Sequence, residues 1–154
     1  MPRHRKPGRK AKPASLQYVV EIDDWEFYYS FGLNKFGFSS ESFQERTSIT
    51  IRGPLREPPL AGIEAAEVHV SQWEHRIEPR AGSYTLDQTP LGSASLTRQG
   101  AVIRGLVSIP RHAIGPLCQV LAAGKIRYVA LMAPALRYRE AVAASVYFST
   151  AYPE

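Results

Sequence analysis

Apolar and polar residues alternate with a period of two along most of the chain beyond residue 15, which is the pattern of half-buried β-strands. The alternation predicts about eight strands, at residues 16–23, 25–33, 46–52, 64–74, 93–98, 101–109, 125–132 and 141–151. From 75 to 90 the pattern fades, and its prolines and glycine predict a long loop. The proline-rich residues 53–62 predict a second surface loop.

One segment, at about residues 114–123, has the spacing of a short helix. Its apolar side chains recur at steps of three and four, at Ile114, Leu117, Cys118 and Leu121. In the predicted helix Gly115 is the N-cap, Pro116 is the first helical residue, and Gly124 follows the last turn.

Many short strands between glycine- and proline-rich turns favour a sandwich or a barrel. Because most strands follow each other without a helix between them, we expect antiparallel pairing. Gln99 and Gly100 are expected to form the tight turn of one hairpin. The sequence therefore predicts a mainly β protein: a single antiparallel β-sandwich or barrel-like domain at residues 15–154, behind a disordered basic arm at residues 1–14.

The positive charge of the 154-residue chain is concentrated at its start. The chain has 19 Lys and Arg against 14 Asp and Glu, a formal net charge of +5. Six of these cations lie in the first 13 residues, where there is no acid: Arg3, Arg5, Lys6, Arg9, Lys10 and Lys12. The rest of the chain is close to neutral. The arm has almost no apolar side chain to pack, so its expected role is electrostatic.

A flexible cationic segment attracts phosphate groups. The principal hypothesis is therefore a non-enzymatic binding or accessory module whose arm contacts a polyanion, such as nucleic acid, or an acidic protein. A solubilising tail explains the same composition, so this alternative stays open. Arg127, Arg137 and Arg139 are expected to gather around the last turn, where they would form an additional anion patch.

Four aromatic residues share one face of the predicted second strand: Trp25, Phe27, Tyr29 and Phe31. Because alternating aromatic residues bury a large area, the sequence favours a core face. Two alternatives remain, since the rings would stack nucleic-acid bases if exposed, and would bind a small apolar ligand if they lined a cavity. A further hypothesis is a structural subunit that forms a homo-oligomer through an open sheet edge.

Each candidate catalytic or metal-binding group has a structural explanation. Asp23 and Asp24 are expected in a solvated turn, because adjacent strand residues point to opposite faces. Cys118 belongs to the apolar stripe of the helix, where a small buried side chain is the usual outcome. His69 and His75 would lie about 20 Å apart on one extended strand, which is too far for a shared metal ion.

The sequence contains no glycine-rich phosphate loop, no nucleophile elbow and no zinc-ligand spacing. We therefore expect no cofactor and no metal, and an enzyme is not favoured, although a site assembled from scattered strands leaves no local motif. The single cysteine excludes an internal disulfide, which favours the reducing cytoplasm. The longest apolar run has eight residues, at 129–136, too few for a membrane span.

Overall fold

The computed structural model describes residues 14–33, 43–73 and 94–154. These ranges contain ten strands and one helix: β1 (Ser15–Glu21), β2 (Asp24–Leu33), β3 (Phe43–Gly53), β4 (Leu55–Glu57), β5 (Ala65–Trp73), β6 (Ala94–Gln99), β7 (Val102–Pro110), α1 (Arg111–Ala122), β8 (Tyr128–Pro134), β9 (Glu140–Ala143) and β10 (Ser145–Ser149). The predicted loop at 75–90 and all but the last residue of the predicted arm lie outside the described ranges.

The strands form two open sheets that face each other, so the predicted sandwich is confirmed and no closed barrel forms. The four-stranded sheet has the order β10-β8-β1-β4, and the six-stranded sheet has the order β2-β3-β5-β7-β6-β9. Pairing is antiparallel except between β5 and β7, which run parallel. The expectation of antiparallel pairing is wrong there, because residues 74–101 between the two strands are long enough to return the chain to the same end of the sheet.

Three of the crossings between the two sheets leave at most two residues between consecutive strands, and the sequence did not reveal them. Strand β3 continues through Pro54 into β4, so the predicted loop at 53–62 contains a short strand of the other sheet. The predicted strand at 141–151 is two strands, β9 and β10, which belong to different sheets and are joined at Ala144. At the third crossing Ile22 and Asp23 lead from β1 into β2.

Helix α1 begins three residues earlier than predicted. It follows β7 directly, with Pro110 at its N-cap position and no side-chain cap, and Pro116 lies inside it. The predicted start at Gly115 and Pro116 is therefore wrong, whereas Gly124 follows the helix at a positive φ as expected. Proline at 110 is compatible with this start, because the first turn of a helix does not use its own N–H groups for internal hydrogen bonds.

Side chains from the facing sides of both sheets form one apolar core, which α1 closes at one end with Ile114, Leu117 and Leu121. Ile49 and Ile51 from β3 and Val129 from β8 are completely buried in it. Tyr18 is also buried, and its hydroxyl donates a hydrogen bond to the Pro134 carbonyl at 3.0 Å. A buried hydroxyl with this partner avoids the penalty of an unsatisfied donor.

Candidate functional site

Strand β2 is an edge strand, and its aromatic stripe is largely uncovered. Trp25 packs against the core, but Phe27, Tyr29 and Phe31 keep 52%, 53% and 61% of their surface exposed. The core interpretation of the stripe is thus confirmed at Trp25 and wrong at the other three residues.

The register of β2 on β3 explains where the core stops covering the aromatic stripe. Trp25 and Phe27 lie opposite Ile51 and Ile49, which are core residues. Farther along, Tyr29 lies opposite Thr47 and Phe31 opposite Glu45, so the neighbouring strand changes from apolar to polar on the same face. The core ends there, while β2 continues to Leu33.

The opposite face of β2 also carries an exposed aromatic ring. Tyr28 points to the outer face of the six-stranded sheet and is 58% exposed. No strand of the described ranges pairs with the outer edge of β2, because β2 is the first strand of its sheet. This edge therefore offers backbone hydrogen-bonding groups between aromatic side chains on both faces.

A groove of about 690 Å³ lies beside Tyr28 on the outer face of the six-stranded sheet. Its lining includes hydroxyl and imidazole groups from β3 and β5. Thr50 Oγ1 and His69 Nδ1 are 3.2 Å apart, and Ser71 Oγ lies 3.2 Å from Ser108 Oγ on β7. The sequence predicted a strand at residues 46–52, but the grouping of its Thr50 with β5 depends on a strand order that period-two patterning does not contain.

Charged groups on this face neutralise one another. Arg52 contacts Glu26 at 2.6 Å, Glu67 at 3.0 Å and Asp24 at 3.7 Å, and Glu67 also contacts Arg104 at 3.4 Å. The hydrogen bonds to Glu26 and Glu67 raise the pKa of Arg52 above its ordinary value. With three carboxylates around it, Arg52 is a poor anion site.

The three arginines expected to form an anion patch are divided between two ends of β8. Arg127 immediately precedes β8, whereas Arg137 and Arg139 follow it. Seven residues of extended strand separate them by about 20 Å. The patch is therefore wrong as predicted, because Arg127 does not share a turn with the other two. The six cations of the arm lie outside the described residues.

The positions of two remaining candidates, the aspartate pair and Cys118, agree with their structural explanations. Asp23 and Asp24 are exposed where the chain passes from β1 to β2. Cys118 is half-buried against the core, and burial raises the pKa of its thiol, which disfavours the thiolate needed for nucleophilic chemistry. His75 lies outside the described residues, and within them no three His, Cys, Asp or Glu side chains group as metal ligands.

Helix α1, with 12 residues, is too short to cross a membrane, and the described ranges contain no other helix. Comparisons with protein-family models, with curated proteins and with solved structures give no match to this chain.

Proposed function

We propose that the protein is a non-enzymatic binding module that associates with a second copy of itself through the edge of β2. The observation that carries the proposal is the aromatic surface of this ten-residue edge strand, where three inner-face rings are each more than half exposed. Edge strands that carry exposed apolar side chains are templates for pairing with another strand. Contiguous exposed apolar surface of this kind marks interaction sites in folded proteins.

The sequence of β2 suits symmetric antiparallel pairing. In an antiparallel pair, residues opposite each other point to the same side of the sheet. Two copies related by a two-fold axis therefore keep their inner faces on the same side when the residue numbers of each opposing pair are both odd or both even. With Tyr29 opposite Tyr29 of the second copy, Phe27 of each copy lies opposite Phe31 of the other. All three exposed rings then gain aromatic neighbours, and the edges exchange backbone hydrogen bonds.

Sedimentation velocity over a concentration series tests this association. We expect wild-type protein to form dimers as its concentration rises, and the double variant Phe27→Ser/Tyr29→Ser to raise the dimer dissociation constant about tenfold or more. The matched control is Tyr147→Ser, which removes a ring that is also 53% exposed and lies on the edge strand β10 of the other sheet.

The control variant should dimerise like the wild type. A wild-type protein that stays monomeric at every concentration, or a double variant that dimerises as tightly as the wild type, would contradict the proposal. Circular dichroism of the double variant separates lost association from lost folding, because both replaced side chains are more than half exposed in the monomer.

A second function, contact with a polyanion through residues 1–14, is favoured by the charge distribution. The described ranges contain ten basic residues, three in 43–73 and seven in 94–154. They contain equally many acids, four, four and two in the three ranges. The six cations of the arm have no such balance, so we infer that they provide the main electrostatic contact with nucleic acid or an acidic protein.

Binding of duplex DNA as a function of salt tests this second function. Six neutralised phosphates give a slope of about −5 in a plot of log affinity against log salt concentration. Replacing the six arm cations by glutamine in the full chain should remove most of that slope. The control Arg56→Gln/Lys125→Gln removes two cations of the body and should retain most of it. Equal slopes for the wild type and the arm variant would contradict the arm's role.

A further inference from the structure

The connection from β8 to β9, which belong to different sheets, contains a short hairpin closed by an isolated bridge between Arg137 and Glu140, and the two residues of its turn are unusual for its geometry. The N–H groups of Arg137 and Glu140 donate to each other's carbonyls at 2.9 and 3.0 Å, which closes the turn around Tyr138 and Arg139. Their φ angles are +50° and +71°. Positive φ at both central positions defines the type I′ turn, for which Asn-Gly is the favoured pair.

Tyr138 and Arg139 therefore occupy a conformation that disfavours their side chains. A Cβ atom at positive φ crowds the following carbonyl, so residues other than glycine, asparagine and aspartate rarely adopt it. Within the described ranges the other residues at positive φ are all glycines: Gly62, Gly100 and Gly124. Among the described residues, glycine thus occupies each such position except at this turn.

Packing of the Tyr138 and Arg139 side chains does not offset this conformational cost. The side chain of Tyr138 is completely exposed, at 101% of its reference area. Arg137 and Arg139 are exposed, and neither forms an ion pair with a carboxylate of the described residues. The backbone of the adjacent Glu140 lies opposite Thr97 in the ladder between β9 and β6. Backbone strain that no structural contact offsets is a feature of recognition sites.

We infer that the tip of this hairpin, Arg137–Tyr138–Arg139, is a contact site for single-stranded nucleic acid. An exposed tyrosine ring is a stacking platform for an unpaired base, and a guanidinium on each side can hold the flanking phosphates. The turn favours an anionic ligand, because Arg137 and Arg139 outnumber the one adjacent acid, Glu140, and leave a net positive charge. An acidic peptide would use the two arginines but would leave the ring without a partner.

This site rests on the proposed contact between the arm and a polyanion, and it adds the class of ligand. The tip recognises an unstacked base, whereas the arm binds phosphates in general. A duplex should therefore depend on the arm alone, and a single strand on both the arm and the tip. The hairpin leads into β9, the edge of the six-stranded sheet opposite β2, so the tip does not overlap the proposed dimer edge.

The decisive experiment replaces Tyr138–Arg139 by Asn-Gly in the full chain, as the double variant Tyr138→Asn/Arg139→Gly. Fluorescence anisotropy with a labelled oligothymidylate of about 20 nucleotides measures binding, since single-strand sites span about 4–16 nucleotides. We expect affinity to fall about tenfold or more, because one stacked base and one cation are lost. The melting temperature should rise, because the new pair suits the turn. A merely structural role of the turn would leave the affinity unchanged.

Two single variants separate the ring from the charges. Tyr138→Ala should weaken binding without changing its salt dependence, whereas Arg137→Gln should reduce the salt slope by about 0.7. The matched control Tyr147→Ala, an exposed tyrosine on β10, should bind the oligonucleotide like the wild type.

The outcomes distinguish this inference from the proposed role of the arm. If neutralising the arm abolishes binding while the Asn-Gly variant binds like the wild type, the tip is not a site and the arm's role stands. If the tip variants lose binding while the arm variant does not, the inference stands without the arm. An Asn-Gly variant with a lower melting temperature overturns the strain argument. Wild-type protein that binds anionic phospholipid vesicles but not the oligonucleotide overturns the assignment of the ligand.

Discussion

The two sheets differ most on the faces that point away from their common core. On the four-stranded sheet, Val19 and Ala130 lie on the outer face and are nevertheless completely buried. On the six-stranded sheet, Leu106 and Val142 lie on the outer face and are 52% and 68% exposed. The same sandwich therefore has one outer face whose centre is buried, although Tyr147 at its β10 edge stays 53% exposed, and one that its own chain leaves open.

The cover of the four-stranded sheet comes in part from the C-terminal segment after β10. Tyr152 packs edge-on against Tyr128, with ring centroids 5.3 Å apart, and its hydroxyl donates to Glu57 at 2.8 Å. Glu57 belongs to β4, at the opposite edge of this sheet from β10, and is paired with Val19. The segment thus crosses the outer face and lies over its centre.

The proposed contact surfaces lie mainly on the side of the molecule that its own chain leaves open. A face closed by its own chain contributes to stability, whereas open faces and edges are available to partners. The β2 edge, the polar groove beside Tyr28 and the hairpin that leads into β9 all belong to the six-stranded sheet. The four-stranded sheet then serves as the second layer that the core requires.

The largest expected effect concerns the crossing that joins the two sheets. At Gly53, where β3 leaves for β4, an added Cβ would lie 1.7 Å from the Glu21 carbonyl oxygen. The two backbone segments would have to move apart to remove that overlap. The movement would break the hydrogen bonds from Glu21 N–H to Pro54 O and from Asp23 N–H to Arg52 O. We expect Gly53→Ala to lower the free energy of unfolding by about 3 kcal/mol or more, as measured by urea denaturation.

The control for this substitution is expected to have a much smaller effect. Gly115 lies inside α1, and a Cβ there would meet no atom within 4 Å apart from its chain neighbours and the backbone of the helix. Gly115→Ala should change the free energy of unfolding by less than about 1 kcal/mol, because the helix propensity of alanine is opposed by Pro116, which disfavours a helical residue before it. If Gly53→Ala were as well tolerated as this control, the two sheets would not be joined as the structure describes.

An intermediate effect tests the comparison of the two outer faces directly. Val19→Ala removes little volume from the closed face, and Leu106→Ala removes more from the open face. We expect Val19→Ala to cost about 2 kcal/mol and Leu106→Ala less than about 1 kcal/mol, because only the first leaves a cavity. Thermal and urea denaturation of both variants measure the difference. Equal costs, or the reverse order, would mean that the two faces are covered alike.

The strands and much of the core could be predicted from the sequence because period-two patterning is a local signal. The predicted strands at residues 16–23 and 46–52 contain Tyr18, Val20, Ile49 and Ile51 at alternating positions, and all four are buried. The patterning could not determine which element lies over a given face. For that reason the aromatic stripe of β2 was assigned to the core, although only its first ring, Trp25, is covered there.

The candidate sites depend on signals that the sequence does not contain. The break at Ala144 is marked by neither glycine nor proline, so β9 and β10 were predicted as one strand. The sequence placed Arg137 and Arg139 in an anion patch at this turn but gave no role to Tyr138, because the positive φ angles of the turn occur at residues that normally avoid them. Strand order brought Thr50 and His69 together, and no local pattern encodes that order.

The smallest expected effect examines the cover of the four-stranded sheet through its alkaline stability. The hydrogen bond to Glu57, followed by burial, raises the pKa of Tyr152 above its ordinary value of 10.0. A raised pKa means that folding favours the neutral phenol. Its stabilising contribution is complete below the unfolded pKa of about 10 and is lost as the pH rises through the folded value. We therefore expect Tyr152→Phe to melt at a temperature that falls less steeply above about pH 10 than that of the wild type.

Tyr147→Phe, which removes an exposed hydroxyl on β10, should retain the wild-type slope. Burial also raises the pKa of Tyr18 on the inner face, so part of the alkaline loss should remain in Tyr152→Phe. Identical slopes for Tyr152→Phe and the wild type would show that the C-terminal segment does not hold the outer face closed through Glu57.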